Sequence, residues 1–224
     1  MPTILQADVR FRANRFRHAC ACVLVLCGIG LALAQPNEDL AIAAFNDRVS
    51  QVKDMLAKGA DANAVNNIGE PVLVVAARSN SMGAVDVLIA AGAKVSARTP
   101  NGDSALMAAA INGNLEIAKK LRQKGAELEG TQWTPLIYAA TGGQDAMVTY
   151  LLGQGANINA SSANGTTALM MAVRERRDGV VKLLIAKGAD VNKRNENGAS
   201  ALSWAVRGDD KATAEALKRA GATQ

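Results

Sequence analysis

A Gly-Ala pair returns at a fixed interval: Gly59, Gly92, Gly125, Gly155, Gly188 and Gly221 each precede an alanine, with four spacings of 33 residues and one of 30. A period in this range dictates a row of supersecondary units, each too small to enclose a core and therefore stacked on its neighbours. Ordering one unit costs on the order of 1–2 kcal/mol per residue in backbone entropy, and a lone helix pair cannot offset that. The short spacing, Gly125 to Gly155, reflects a trimmed loop, since "GAELEGTQWTPL" reaches its leucine sooner than "GAKVSARTPNGDSAL".

Each period reads as two short helices and a turn. Ser104, Thr134, Thr167 and Ser200 stand where a side-chain oxygen can cap the first helix. Pro135 follows Thr134 at the first helical position, where its missing N–H costs nothing. Small residues come next, as in Ala108-Ala109-Ala110 and Ala139-Ala140, and let neighbouring helices approach. The second helix carries apolar residues at helical spacing: Leu115, Ile117, Ala118 and Leu121, or Val180, Val181, Leu183 and Leu184. The Gly of each pair then ends that helix, where positive φ is needed. Asp61, Asp190 and the asparagines at 63, 157, 159 and 192 suit the turn beyond, because their short side chains bond nearby backbone.

Residues 1–34 stand outside this register. Arg10, Arg12, Arg15 and Arg17 precede the apolar run "ACACVLVLCGIGLALA", which closes on Ala32-Leu33-Ala34. This is the pattern of a secretory signal peptide cleaved after Ala34. An uncleaved anchor is the alternative, although 16 residues from Ala19 are short of the roughly 20 that span a bilayer. A lipoprotein signal ending at Cys27 is a second alternative, disfavoured by Leu26, where a small residue belongs.

Removing the leader changes what composition implies. Cys20, Cys22, Cys27 and His18, the chain's only cysteines and histidine, all lie in it. The remainder, 35–224, can form no disulfide, has no thiolate, and offers zinc carboxylates alone, which zinc seldom accepts. The whole chain is +5 and the leader has four Arg against Asp8, so about +2 remains, which is no nucleic-acid footprint. Gly142-Gly143 and Gly28-x-Gly30 are the nearest approaches to a phosphate loop, and neither sits in a strand–loop–helix context. Paired acids such as Asp209-Asp210 or Glu127 with Glu129 read as solvated or capping groups, and nothing places a base beside a Ser or Lys nucleophile. The chain is expected to be non-enzymatic, without cofactor or metal.

The stretches "TPLIYAATGGQDAMVTYLLGQGANIN" from Thr134 and "TALMMAVRERRDGVVKLLIAKGADVN" from Thr167 resemble the ankyrin repeat signature Thr-Pro-Leu-His-x-Ala-Ala, Gly, a Leu pair and Gly-Ala-Asp-x-Asn. The resemblance covers about Asn37 to Thr223. It implies an all-α solenoid of about six helix–turn–helix units (37–58, 59–91, 92–124, 125–154, 155–187, 188–224) with projecting hairpin loops and terminal units as caps. Lys211, Thr213, Glu215 and Lys218 give the last outer helix a polar face suited to water. Two departures stand out. The family's His is replaced by Val74, Met107, Ile137, Met170 and Ser203, so its polar link between units is missing, and Pro71 takes the place of a Thr cap.

The resemblance further implies a protein partner held by finger tips and by first-helix ends on the concave side. Those positions hold Val65, Asn67, Arg98, Pro100, Ser161, Ala163, Arg194 and Glu196 at the tips; Glu70, Asp103, Trp133, Thr166 and Ala199 after the turn; and Arg78, Ser79, Ile111, Asn112, Thr141, Arg174, Glu175 and Arg207 at the helix ends. Trp133 is expected to be exposed at mid-array, with Arg78, Arg98, Arg174, Arg176, Arg177, Arg194 and Arg207 around it, and Trp and Arg are enriched at binding hot spots. The competing reading is that Trp133 fills the gap left by the trimmed loop and the arginines serve helix C-terminal carbonyls. Trp204 aligns with Val75, Ala108, Tyr138 and Met171 and belongs to the core or its edge.

The expected function is therefore protein–protein interaction in the periplasm or outside the cell, by a monomer that does not insert into the membrane once cleaved. One alternative is an immunity protein neutralising a toxic effector in the periplasm. Another, a small-molecule or glycan binder, is poorly served by 3% aromatic residues.

Overall fold

The computed structural model describes residues 36–130 and 132–223. The leader and its predicted cleavage site lie outside them. Gln35–Gln224 forms one compact unit. Its described residues make six helix pairs: α1 (Pro36–Phe45) with α2 (Val49–Ala57), α3 (Val72–Arg78) with α4 (Met82–Ala90), α5 (Ala105–Asn112) with α6 (Leu115–Gln123), α7 (Pro135–Gly142) with α8 (Asp145–Gly153), α9 (Ala168–Arg174) with α10 (Asp178–Ala186), and α11 (Ala201–Arg207) with α12 (Lys211–Arg219). First helices pack one on the next, and second helices form an outer layer with slimmer contacts between units.

The period sets what is buried. Leu40, Leu73, Leu106, Leu136, Leu169 and Leu202 occupy one position of successive first helices, and all are buried. One turn on, Ala43, Ala76, Ala109, Ala139, Ala172 and Ala205 are equally buried, and their single methyl groups set the distance between first helices. Leu88, Leu121, Leu151, Leu184 and Leu217 anchor the second helices. Each such leucine contributes roughly 1.5–3 kcal/mol by leaving water, and most of that burial depends on a neighbouring unit.

Caps fall where the sequence places them. The hydroxyls of Ser104, Thr134, Thr167 and Ser200 accept from the backbone N–H of Met107, Ile137, Met170 and Ser203. Pro71 offers α3 no such bond, although it bridges Val65 across the finger as Ser104 and Thr167 bridge Arg98 and Ser161. The glycines of the Gly-Ala pairs all have φ between 83° and 94°. A Cβ on any of the six would meet nothing within 4 Å, so only backbone conformation requires glycine there. A second left-handed position joins the two helices of each unit, at Asp47, Asn80, Gly113, Gly143, Arg176 and Asp209.

The ends differ from the interior. In the last unit α12 is polar outward, but Thr213 is buried, its N–H bonded to the Asp210 carboxylate. It therefore does not belong to the water-facing set expected for that helix. Val206 aligns with Ala44, Ala77, Ala110, Ala140 and Val173, which the stack buries, yet Val206 is 55% exposed. Among the described residues no further unit covers it.

Candidate interaction surface

Four fingers are built identically. Asn66, Thr99, Ser162 and Asn195 each donate their N–H to the carbonyl four residues on (Glu70, Asp103, Thr166 and Ala199), at 2.9–3.0 Å. Their side-chain oxygens accept from the N–H of those same residues at 2.9–3.1 Å. These four side chains clamp the turn from inside and leave positions 65, 67 and 68, and their equivalents, outside. This clamp escaped the sequence reading, although a short oxygen-bearing side chain three residues before each turn glycine carries the signal. Glu70, Thr166 and Ala199, expected on the surface after the turn, are buried; their backbone serves the clamp.

Units are joined by two further sets of polar links in place of the missing histidine. In the first, the residue opening the second helix of units two to five reaches back to a carbonyl at the end of the preceding unit's first helix. Ser81 Oγ donates to Phe45 O (2.9 Å), Asn114 Nδ2 to Ala77 O (3.0 Å), Gln144 Nε2 to Ile111 O (3.2 Å) and Arg177 Nε to Thr141 O (3.0 Å). Helix C-termini leave carbonyls unpartnered, and these side chains satisfy them. In the second set, asparagine carboxamides accept from backbone one unit on: Asn63 from Lys94 N, Asn159 from Asp190 N and Asn192 from Thr223 N, at 2.8–2.9 Å. Ser96 and Glu129 hold the equivalent positions in the other two units.

Six of the seven arginines expected around Trp133 have local partners. Arg78 pairs with Glu70 at 2.7 Å within its own unit. Arg98 reaches Glu127 (2.8 Å) and the carbonyls of Gly102 and Glu129. Arg174 bonds Glu175 and lies over the Trp204 ring, 5.9 Å from its centroid. Arg176 donates to Gly208 O, Arg177 to Thr141 O, and Arg194 to Gly198 O. Arg207 is exposed. Thr141, another expected surface residue, is buried with its hydroxyl on Ile137 O. Trp133 is half-buried, packed on the core and tilted onto Tyr138 at 5.4 Å between ring centroids. It is therefore not the exposed residue that its position suggested, because the trimmed loop folds it inward. The Tyr138 hydroxyl in turn donates to Asp103 of the preceding unit.

Two carboxylates are perturbed. The Asp210 carboxyl lies below its ordinary range because it accepts the Thr213 backbone N–H, with help from the Thr213 hydroxyl and the Arg176 charge against some desolvation. Glu215 is lowered by its hydrogen bond and charge pairing with Lys218. Asp210 caps the last helix, and Glu215 lies within it in an i,i+3 pair. Among the described residues no cluster of three or more His, Cys, Asp or Glu could hold a metal, and no helix is long and apolar enough to cross a membrane.

What the geometry defines is a repeat scaffold: constant clamps, caps and links inside, and finger tips with first-helix ends outside. The chain belongs to the ankyrin repeat family, whose model matches residues 40–131, 126–195 and 161–223. It is similar to the crystal structure of an ankyrin repeat domain from Acinetobacter baumannii AYE, with 31% identity and a TM-score of 0.70 over 83% of this chain and 98% of that one. A search of curated proteins finds no match. Ankyrin repeats are generally protein–protein interaction modules and typically non-catalytic.

Proposed function

We propose that this chain is exported across a bacterial inner membrane and, in the periplasm or outside the cell, holds a protein partner on a concave face made by fingers and first-helix ends. The observation that supports this reading is the contrast between two sets of aligned positions. Positions fixed by packing repeat in kind, as in the leucine and alanine rows and the clamp residues. Outward positions vary: 65, 98, 161 and 194 are Val, Arg, Ser and Arg, while 45, 78, 111, 174 and 207 are Phe, Arg, Ile, Arg and Arg. A framework that keeps its interior and changes its surface suits recognition of one particular partner.

The test uses tagged full-length protein in its source cell. Export predicts release with the periplasmic contents and an N-terminus at Gln35. Retention in the cytoplasm with residues 1–34 intact would count against it. Capture from the envelope fraction, followed by reconstitution with the purified partner, then compares two variants. Changing Phe45, Arg98, Arg174 and Arg207 to Ala should abolish binding. Changing Lys53, Glu116, Lys182 and Glu215 to Ala, all exposed on second helices, should leave it intact, and the reverse pattern would refute the face.

A further inference from the structure

The described residues expose five large hydrophobic side chains, and four of them lie in the first unit and the first finger: Ile42 (46%), Phe45 (52%), Val65 (43%) and Ile68 (62%). The repeat supplies its own control. Where the first finger has Ile68, the others have Asn101, Asn164 and Asn197; where it has Val65, they have Arg98, Ser161 and Arg194. All four fingers close the same clamp, so the finger does not need apolar residues at its tip. Phe45 aligns with Arg78, Ile111, Thr141, Arg174 and Arg207, so four of its five siblings are polar.

The first helix and the tip of the first finger meet. Glu38 Oε2 accepts the N–H of Asn67 at the finger tip (3.0 Å). Ile42 and Phe45 follow Glu38 by one and two turns along the same side of α1, and Ile68 follows Asn67. Two carboxylates, Glu38 and Asp39, open the helix beside this stripe. The surrounding charge has the same sign: residues 36–70 hold six carboxylates and three cations, whereas residues 155–223 hold eleven cations and seven carboxylates. The stack is thus electrostatically polar from end to end.

We infer that this N-terminal patch is the principal contact for the partner and takes a protein segment with apolar side chains flanked by Lys or Arg. This inference rests on the interaction reading above and specifies where and with what chemistry binding occurs. Apolar side chains cover Ile42, Phe45, Val65 and Ile68, and the flanking cations meet Glu38 and Asp39. Burial provides most of the affinity, while the charges provide orientation and association rate.

The experiment selects Gln35–Gln224, a compact unit with its own core, against a library of random linear peptides. The readout compares it with the variant Phe45→Thr/Val65→Ser/Ile68→Asn and with Arg174→Ala/Arg194→Ala/Arg207→Ala. The first variant uses only residues that sibling units already carry at those positions, and circular dichroism melting confirms that both variants stay folded. The expected result is enrichment of peptides pairing apolar residues with Lys or Arg, roughly tenfold or more weaker on the first variant and at most about twofold weaker on the second, whose arginines border the same face. Their binding should weaken as salt rises. Enrichment of acidic peptides that depends on the arginines would overturn this inference while leaving the interaction reading intact. No enrichment on any form, with no partner from the envelope fraction, would count against both. Sedimentation velocity adds one further outcome: a dimer abolished by the first variant would assign the patch to a second copy of the chain and overturn the inference.

Discussion

Alanine at two glycines of one unit should move stability in opposite directions. Gly142 is the last residue of α7, where a Cβ would lie 2.2 Å from the carbonyl oxygen of Ile111 and 3.0 Å from its carbon. That is roughly 1 Å inside contact, and the obstacle is backbone of the neighbouring unit, which cannot rotate away. Relief requires α5 and α7 to separate at the most extensive of the junctions between first helices, and it stretches the Gln144–Ile111 bond. Overpacking of this kind costs about 1–3 kcal/mol, strain on the bond adds up to about 1, and the better helix propensity of alanine returns about 1. The net loss is up to about 3 kcal/mol for Gly142→Ala, on the order of 4–8 °C in Tm for a 2 kcal/mol loss at this size. Gly153 ends α8 eleven residues later with nothing within 4 Å of its Cβ, so Gly153→Ala should be neutral or stabilising by up to about 0.5–1 kcal/mol. Urea titrations followed by far-UV circular dichroism read both. If Gly142→Ala matched Gly153→Ala in sign, the close approach of units three and four would be refuted.

Further outcomes follow from the links. Asn63→Ala and Asn159→Ala should each cost about 0.5–1.5 kcal/mol in the same titration, and Ser96→Asn should gain a comparable amount if its carboxamide reaches Glu127 N, 31 residues on, as Asn63 reaches Lys94 N. Arg176 has φ of 54° where two sibling units use glycine, so Arg176→Gly should stabilise by about 0.5–1 kcal/mol despite losing its bond to Gly208 O. A melting temperature below wild type would contradict that. Asp210 has a depressed carboxyl in the folded chain; its contribution is present above the unfolded Asp pKa and is lost as pH falls through the folded one. Acid titration of Asp210→Asn should therefore show a shallower loss of stability below the ordinary Asp range than wild type, and parallel curves would contradict the cap.

Much of the architecture is legible because periodic features are backbone features. The glycine at each second-helix end, the four hydroxyl caps and the leucine rows need only spacing to be found. The links between units need more, because spacing does not say which carbonyl lies opposite a side chain. Asn114 and Gln144 look like ordinary polar residues until Ala77 O and Ile111 O are placed beside them. The arginines allow two readings in sequence, surface charge or service to carbonyls, and only the fold shows which groups Arg177 and Arg98 meet. The second left-handed position has no residue consensus, since Asp, Asn, Gly and Arg all occupy it. Phe45 and Ile42 are missed because the first unit lacks an opening turn, so only the spacing of α2 to α4 brings its first helix into register with the others.

The central claim is that a constant interior presents a variable face to a protein partner. Hydrogen–deuterium exchange of the chain with and without its captured partner tests it most directly. The account predicts added protection at the finger tips and first-helix ends, strongest around Phe45, Val65 and Ile68, with α4, α6, α8 and α10 unchanged. Protection confined to those second helices would contradict it.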